Sequence, residues 1–215
     1  MSHLDLHSIR REYSSRSLGR TDLPADPIAF LEQWVGEAIA AKATEPTALL
    51  VATATAQGYP SLRTVLLKEV YQGRLVFYTN YDSRKGQQIA ENPHIACSMV
   101  WHELERQIHV EGVAERIPEA MSDAYFAERP YKSRVGARIS PQSKPIPSRE
   151  YIMGQFVVES AKFLGRRVPR PAHWGGYWVK PTRIEFWQGR DSRLHDRFVY
   201  TLQADGSWTI ERVAP

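Results

Sequence analysis

The chain has 215 residues, 42% of them hydrophobic and 24% charged, which suits one large soluble domain or two small ones with a real core. Its net charge of +4 and pI of about 9.2 fit nucleic acid, a membrane surface or a small phosphorylated ligand, and select none of them. Cys97 is the only cysteine, so an intrachain disulfide and a cysteine-rich metal centre are excluded.

Residues 1–25 are polar, carry Arg10, Arg11, Arg16 and Arg20, and read as an arm that is mobile unless something docks it. They lack the apolar core of a secretory signal, and no run anywhere approaches the roughly 20 apolar residues of a membrane span, so a cytoplasmic protein is expected. Asp26-Pro27 supplies an N-cap and a first-turn proline, and Ile28, Leu31, Trp34, Val35, Ala38 and Ile39 follow at helical spacing, predicting a helix over 27–42. Strands are predicted over 47–54, 61–68 and 74–80, read as an antiparallel meander. Asp82 or Ser83 caps a short helix that Asn92-Pro93 stops. Two further strands cover 94–101 and 106–117, with Gly112 marking a bulge. Pro118 opens a helix that Pro130 interrupts, and another helix is predicted from 149 to 164. The last strands are predicted over 174–180, 183–188, 197–203 and 207–213. Short strands joined by hairpins and not alternating with helices predict an α+β antiparallel barrel with helices packed around it, and no linker divides residues 26–215.

Four groups of residues carry the chemistry. Ser83-Arg84-Lys85 places a hydroxyl, two cations and free N–H groups at a helix start, either an anion site or a solvated charge pair. Arg63 and Lys68 flank an apolar strand segment; five residues apart, they fall on opposite faces of a regular strand. If both touch one ligand, the strand must bulge or the ligand must cross its end. Tyr125, Arg129 and Ser133 are spaced four apart, and on a helix they would form either a phosphate grip or a surface triplet. Pro130 disfavours helical geometry at Arg129, so a kink or two short helices is expected. Arg193, His195 and Arg197 alternate, which on a strand places them on one face, and repulsion from the two arginines should favour neutral His195. Histidine and carboxylate spacing suggests no metal site.

Taken together, RREY (10–13), DLPADP (22–27), RTVLLK (63–68), VFYTN (76–80), SRK (83–85), WHELERQ (101–107), YFAERP (125–130), PQS (141–143), HWGGY (173–177), IEFWQG (184–189), RLHDRF (193–198) and the final ERVAP closely resemble the pyridoxine 5′-phosphate oxidase family, colinearly over nearly the whole chain. The resemblance implies an FMN-binding split barrel, a homodimer with FMN at the subunit interface, and no nucleic-acid or membrane partner. It assigns FMN contacts to Arg63, Thr64, Val65, Leu66, Leu67, Lys68, Tyr78, Thr79, Arg84, Lys85, Gln107, Gln142, Ser143, Trp187 and Arg197. Lys68, Tyr125, Arg129 and Ser133 are implied to grip the substrate phosphate. Arg193, Leu194 and His195 are implied to lie over the pyridine ring, with Arg193 and His195 closest to the chemistry, and Arg10, Arg11, Glu12 and Tyr13 to form an arm segment that closes on substrate. The implied reaction is oxidation of pyridoxine or pyridoxamine 5′-phosphate to pyridoxal 5′-phosphate by hydride transfer from substrate C4′ to flavin N5, with O2 reoxidising the flavin and H2O2 released. A split-barrel flavin reductase or carrier is the nearest alternative; a basic nucleic-acid-binding barrel is a more distant one. Arg138 stands where the family often has an apolar or aromatic residue, and residues 149–172 match only loosely.

Overall fold

The computed structural model describes His7, Glu12, Tyr13 and residues 16–215. Asp26 caps α1 (Pro27–Ala40), accepting from the Ile28 N–H at 2.9 Å, and Phe30, Leu31, Trp34 and Ala38 form its buried face. β1 (Ala48–Ala54) pairs antiparallel with β2 (Pro60–Leu66), and β3 (Glu69–Tyr71) with β4 (Arg74–Asn80). Ser83 caps α2 (Arg84–Glu91), followed by β5 (His94–Trp101) and β6 (Arg106–Arg116). Next come α3 (Glu119–Glu128), α4 (Tyr131–Ile139), α5 (Arg149–Lys162), β7 (Trp174–Gln188), β8 (Asp196–Leu202) and β9 (Trp208–Arg212). The strand order is β2-β1-β5-β6-β7-β4-β3, with β8 on β7 and β9 on β8. The fold is the expected α+β class, an antiparallel split-barrel sheet with helices.

Three expectations need correction. The stretch 47–80 is not a meander, because β4 lies between β3 and β7. The chain leaves the line of β2 after Leu66, Leu67 turns into the core, and the Lys68 N–H bonds to the Val76 carbonyl at 2.9 Å, so residues 68–71 fill the edge of β4. β7 is one strand rather than two. Its residues up to Val179 pair with β4 and those from Arg183 with β8, so Pro181, which has no N–H to give, falls between the two registers. Residues 193–195 are not extended: Ser192 and Arg193 have φ of 55° and 61°, a left-handed turn, and only Arg197 of the three alternating residues lies in β8.

The break expected at Pro130 is present. Arg129 is extended (ψ 146°) before Pro130 and separates two short helices. Cys97 is a packed core thiol, and burial pushes its pKa up to about 12. At Gly112 an added Cβ would meet the Lys180 carbonyl oxygen at 2.3 Å, so the glycine marks a close backbone approach.

Contacts group the chain into two compact units. The first comprises the chain up to Thr47, Ser98–Val110 and Thr182–Pro215; the second comprises Ala48–Cys97 and Glu111–Pro181. The first is built on the aromatic cluster of Phe30, Trp34, Phe186 and Tyr200, with Phe30 and Phe186 4.5 Å apart. In it Leu18 is buried, and its N–H bonds to the Asp196 carboxylate at 3.0 Å. The second holds Phe77 against Tyr177, and a cluster of Phe126, Val135, Val168 and Trp174. No helix among the described residues is long and apolar enough to cross a membrane.

Candidate active site

A cleft of about 770 Å³ opens in the second unit, of the size that takes a cofactor or small ligand. β2 supplies Arg63, Thr64, Val65 and Leu66; Lys68 follows; β4 supplies Tyr78 and Thr79; and α2 begins in it with Arg84 and Lys85. Tyr125, Arg129 and Ser133 reach it from α3 and α4, and Gln142 and Ser143 from the loop after α4. The spacing problem of Arg63 and Lys68 is solved by the end of β2 at Leu66: both residues line the cleft because the strand stops between them. Leu67 does not line it, being buried in the core.

Among the described residues, the lining carries five cations (Arg63, Lys68, Arg84, Lys85 and Arg129) and no carboxylate. Lys85 is only 7% exposed, and its ammonium donates to Thr79 Oγ1 at 2.7 Å, Gln142 Oε1 at 2.9 Å and Ser83 Oγ at 3.2 Å. Burial, then the charge of Arg63, brings its pKa down to about 8. Arg63 donates to the Val51 carbonyl and the Thr53 and Ser61 hydroxyls, and its pKa is lowered by burial and by Arg84. Lys85 and Arg63 are held by neutral oxygens, which position them without neutralising them.

The other wall is aromatic. Tyr78 stacks on Tyr125 with ring centroids 3.9 Å apart, and on Trp174 at 5.4 Å. The Arg129 guanidinium lies over the Trp174 ring at 4.6 Å, and its buried Nη1 has no hydrogen-bond partner among the described residues. Burial lowers the pKa of Arg129 and, with help from the Glu69 carboxylate, pushes the Tyr78 phenol up to about 12. Ser143 sits at φ 70°, a left-handed conformation at the lip of the cleft.

A second cluster forms in the first unit. Gln188 is fully buried; it accepts from Arg106 Nε at 2.9 Å and donates to the Leu104 and Glu105 carbonyls, fixing the end of β7. Beyond it, the His195 ring lies 4.5 Å from Trp187 and 5.8 Å from Tyr13. The Arg190 N–H donates to His195 Nδ1 at 3.1 Å, so the neutral ring carries its proton on Nε2. The pKa of His195 is lowered, by burial first and then by Arg193 and Arg197. Arg197 is paired with Glu185 at 2.7 Å and donates to the Ala214 carbonyl; Gln107 and His109 are in hydrogen-bond contact; Arg193, Leu194 and Glu12 are exposed. Arg10 and Arg11 lie outside the described residues.

Family models match both parts of the chain: that of pyridoxamine 5′-phosphate oxidase over residues 35–158, and that of the pyridoxine 5′-phosphate oxidase C-terminal dimerisation region over residues 174–215. The chain belongs to the pyridoxamine 5′-phosphate oxidase family. It is 59% identical to the pyridoxine/pyridoxamine 5′-phosphate oxidase of Porphyromonas gingivalis, over 99% of this chain and 100% of that one. To the oxidase of the same name from Chromobacterium violaceum it is 52% identical, over 99% of each chain. The crystal structure of PhzG from Burkholderia lata, in complex with tetrahydrophenazine-1-carboxylic acid, superposes with a TM-score of 0.88 at 30% identity, covering 94% of this chain and 100% of that one. The C-terminal dimerisation region points to a homodimer for this family member.

Ser61, Leu62, Asn80, Gly136, Ala137, Ser140 and Trp174 also line the cleft and were not foreseen. Trp174 alone had a signal, a large aromatic inside HWGGY. Arg138 does not line the cleft. Its Nε donates to Glu159 at 2.6 Å and its guanidinium lies over the Phe163 ring, tying α4 to α5.

Proposed function

We propose that the chain is an FMN-dependent oxidase that converts pyridoxine 5′-phosphate and pyridoxamine 5′-phosphate to pyridoxal 5′-phosphate. The observation that carries this reading is a cleft with five cations, an aromatic wall and no carboxylate. Two phosphate monoesters bring about four negative charges near neutral pH, which such a lining can balance. The residues fit FMN: Arg63, Arg84 and Lys85 are grouped as a phosphate site, while Thr64, Val65, Leu66, Tyr78, Thr79, Gln142 and Ser143 offer polar and flat surface to a ring system. The unpartnered Nη1 of Arg129 is a buried donor suited to the phosphate of the substrate, with Lys68, Tyr125 and Ser133 beside it.

The chemistry that bound FMN supplies is two-electron oxidation at the substrate's C4′ carbon, with O2 as final acceptor and H2O2 as by-product. The chain's part is to hold, orient and desolvate. In the homodimer, with FMN at the interface, Gln107, Trp187 and Arg197 complete the FMN contacts. Arg193 and Leu194 cover the pyridine ring, and Tyr13 and Glu12, with Arg10 and Arg11, belong to the closing arm. His195 meets the substrate as a donor through Nε2, because Nδ1 is engaged by the Arg190 N–H. His195→Asn should therefore leave the rate of flavin reduction within about tenfold, whereas loss of a true general base would cost about 100-fold or more; stopped-flow reduction decides. A flavin protein of other specificity is the competing reading, favoured by the likeness to PhzG, but it has no use for an unpaired Arg129.

Aerobic turnover of the FMN-loaded protein tests the reading. Pyridoxal 5′-phosphate and H2O2 should form in equal amounts from either substrate, with ammonia only from pyridoxamine 5′-phosphate; no product from either would overturn it. Gly189→Ala probes the arm, since an added Cβ would meet Tyr13 at 2.9 Å and Glu105 at 3.0 Å. A steric cost of about 1–3 kcal/mol should raise KM roughly tenfold and leave the FMN Kd unchanged.

A further inference from the structure

The Arg63 guanidinium is held by an ordered relay rather than by a carboxylate. Its Nη1 donates to Thr53 Oγ1 at 2.7 Å and its Nη2 to Ser61 Oγ at 2.6 Å. Each hydroxyl owns one proton, and both send it to a single atom, Gln88 Oε1, at 2.5 Å and 2.6 Å. Arginine has no acceptor, so the direction of the relay is fixed: guanidinium to hydroxyls, hydroxyls to the amide oxygen. Thr53 and Gln88 are 2% and 3% exposed, so water does not take over the Thr53 link.

Gln88 belongs to α2, the helix whose first turn presents Arg84 and Lys85 to the cleft, and it lies one turn beyond Lys85. The relay therefore ties the cation of β2 to the helix that carries the other two. Its orientation comes at a cost: with Oε1 turned toward the hydroxyls, Gln88 Nε2 is buried without a partner. A side chain serving packing alone would be apolar at this position and would not leave a buried donor unpaired.

From this geometry we propose that Gln88 is a positioning residue for phosphate recognition, acting on the aim of Arg63 through Thr53 and Ser61 and through its own longer contact with Arg63 Nη2 at 3.5 Å. The proposal rests on the FMN reading above. It is tested by titrating FMN and riboflavin, which differ by the phosphate, into the flavin-free protein and following flavin fluorescence. Wild type should bind FMN more tightly than riboflavin. Gln88→Met, which fills the volume without the acceptor, should weaken FMN about tenfold to thirtyfold and leave riboflavin within about twofold, the loss expected when a charged donor is no longer held in place. Thr53→Val, isosteric and outside the cleft lining, should produce the same phosphate-selective loss, and supplies the answer if Gln88→Met fails to fold.

Equal weakening of both flavins would assign Gln88 to packing and overturn the proposal, as would unchanged affinity for both. A wild-type protein that binds both flavins with equal, measurable affinity would overturn the phosphate assignment of Arg63 and the proposal with it. A wild-type protein that binds neither would overturn the FMN reading itself.

Discussion

Arg129→Met is expected to lower kcat/KM for pyridoxine 5′-phosphate by about 100-fold or more, almost all of it through KM, while the FMN Kd stays unchanged. The guanidinium sits over Trp174 in a partly desolvated position, with one nitrogen buried and unpartnered. A phosphate oxygen accepting from it would form a charge-assisted pair, and truncating one side of such a pair costs about 2–5 kcal/mol. The substrate phosphate is remote from the carbon that reacts, so the loss falls on binding rather than on the chemical step. Removing an unpaired buried donor should leave the melting temperature of the ligand-free protein unchanged or raised, which separates this effect from misfolding. Steady-state kinetics with a melting curve is the check. An unchanged KM would remove Arg129 from the substrate site.

The second large effect is a pH dependence centred on Lys85. Burial, reinforced by Arg63, brings its pKa down from the ordinary 10.5 to about 8 in the ligand-free protein. Between these values the folded chain has lost a proton that the unfolded chain keeps, so unfolding takes up a proton and stability rises with pH across that window. Binding of an anion runs the other way, because it requires the charged ammonium. The FMN Kd should therefore be flat below about pH 8 and weaken above it, with a limiting slope of about tenfold per pH unit. Lys85→Met should weaken FMN at neutral pH and remove the dependence above pH 8. Titrations from about pH 7 to about pH 10 would show it, and a flat wild-type profile would mean that Lys85 does not meet the phosphate.

The site was legible in the sequence where a residue broke its local pattern. Arg63 and Lys68 stood out as cations beside an apolar strand, and Arg84 and Lys85 as cations at a capped helix start. Pro130 announced the break at Arg129, and the structure places that guanidinium in the cleft at the junction of two helices. What could not be read depended on distant partners. Nothing near Leu66 says that β4 will pair with residues about a hundred positions later, so the local pattern predicts a meander that does not form. The left-handed turn at Ser192 and Arg193 carries no glycine or asparagine to signal it, so alternation alone placed His195 on a strand. Thr53 and Gln88 look unremarkable in sequence, because their role exists only once β1, β2 and α2 are packed.

The assignment as an FMN-dependent oxidase is tested by mixing the FMN-loaded protein with pyridoxine 5′-phosphate in the absence of oxygen and recording the visible spectrum. The flavin band should bleach and return when air is admitted, with pyridoxal 5′-phosphate formed in proportion to the flavin reduced. A band that persists after mixing would contradict the assignment of substrate, leaving a flavin protein whose cleft serves another phosphorylated or anionic molecule.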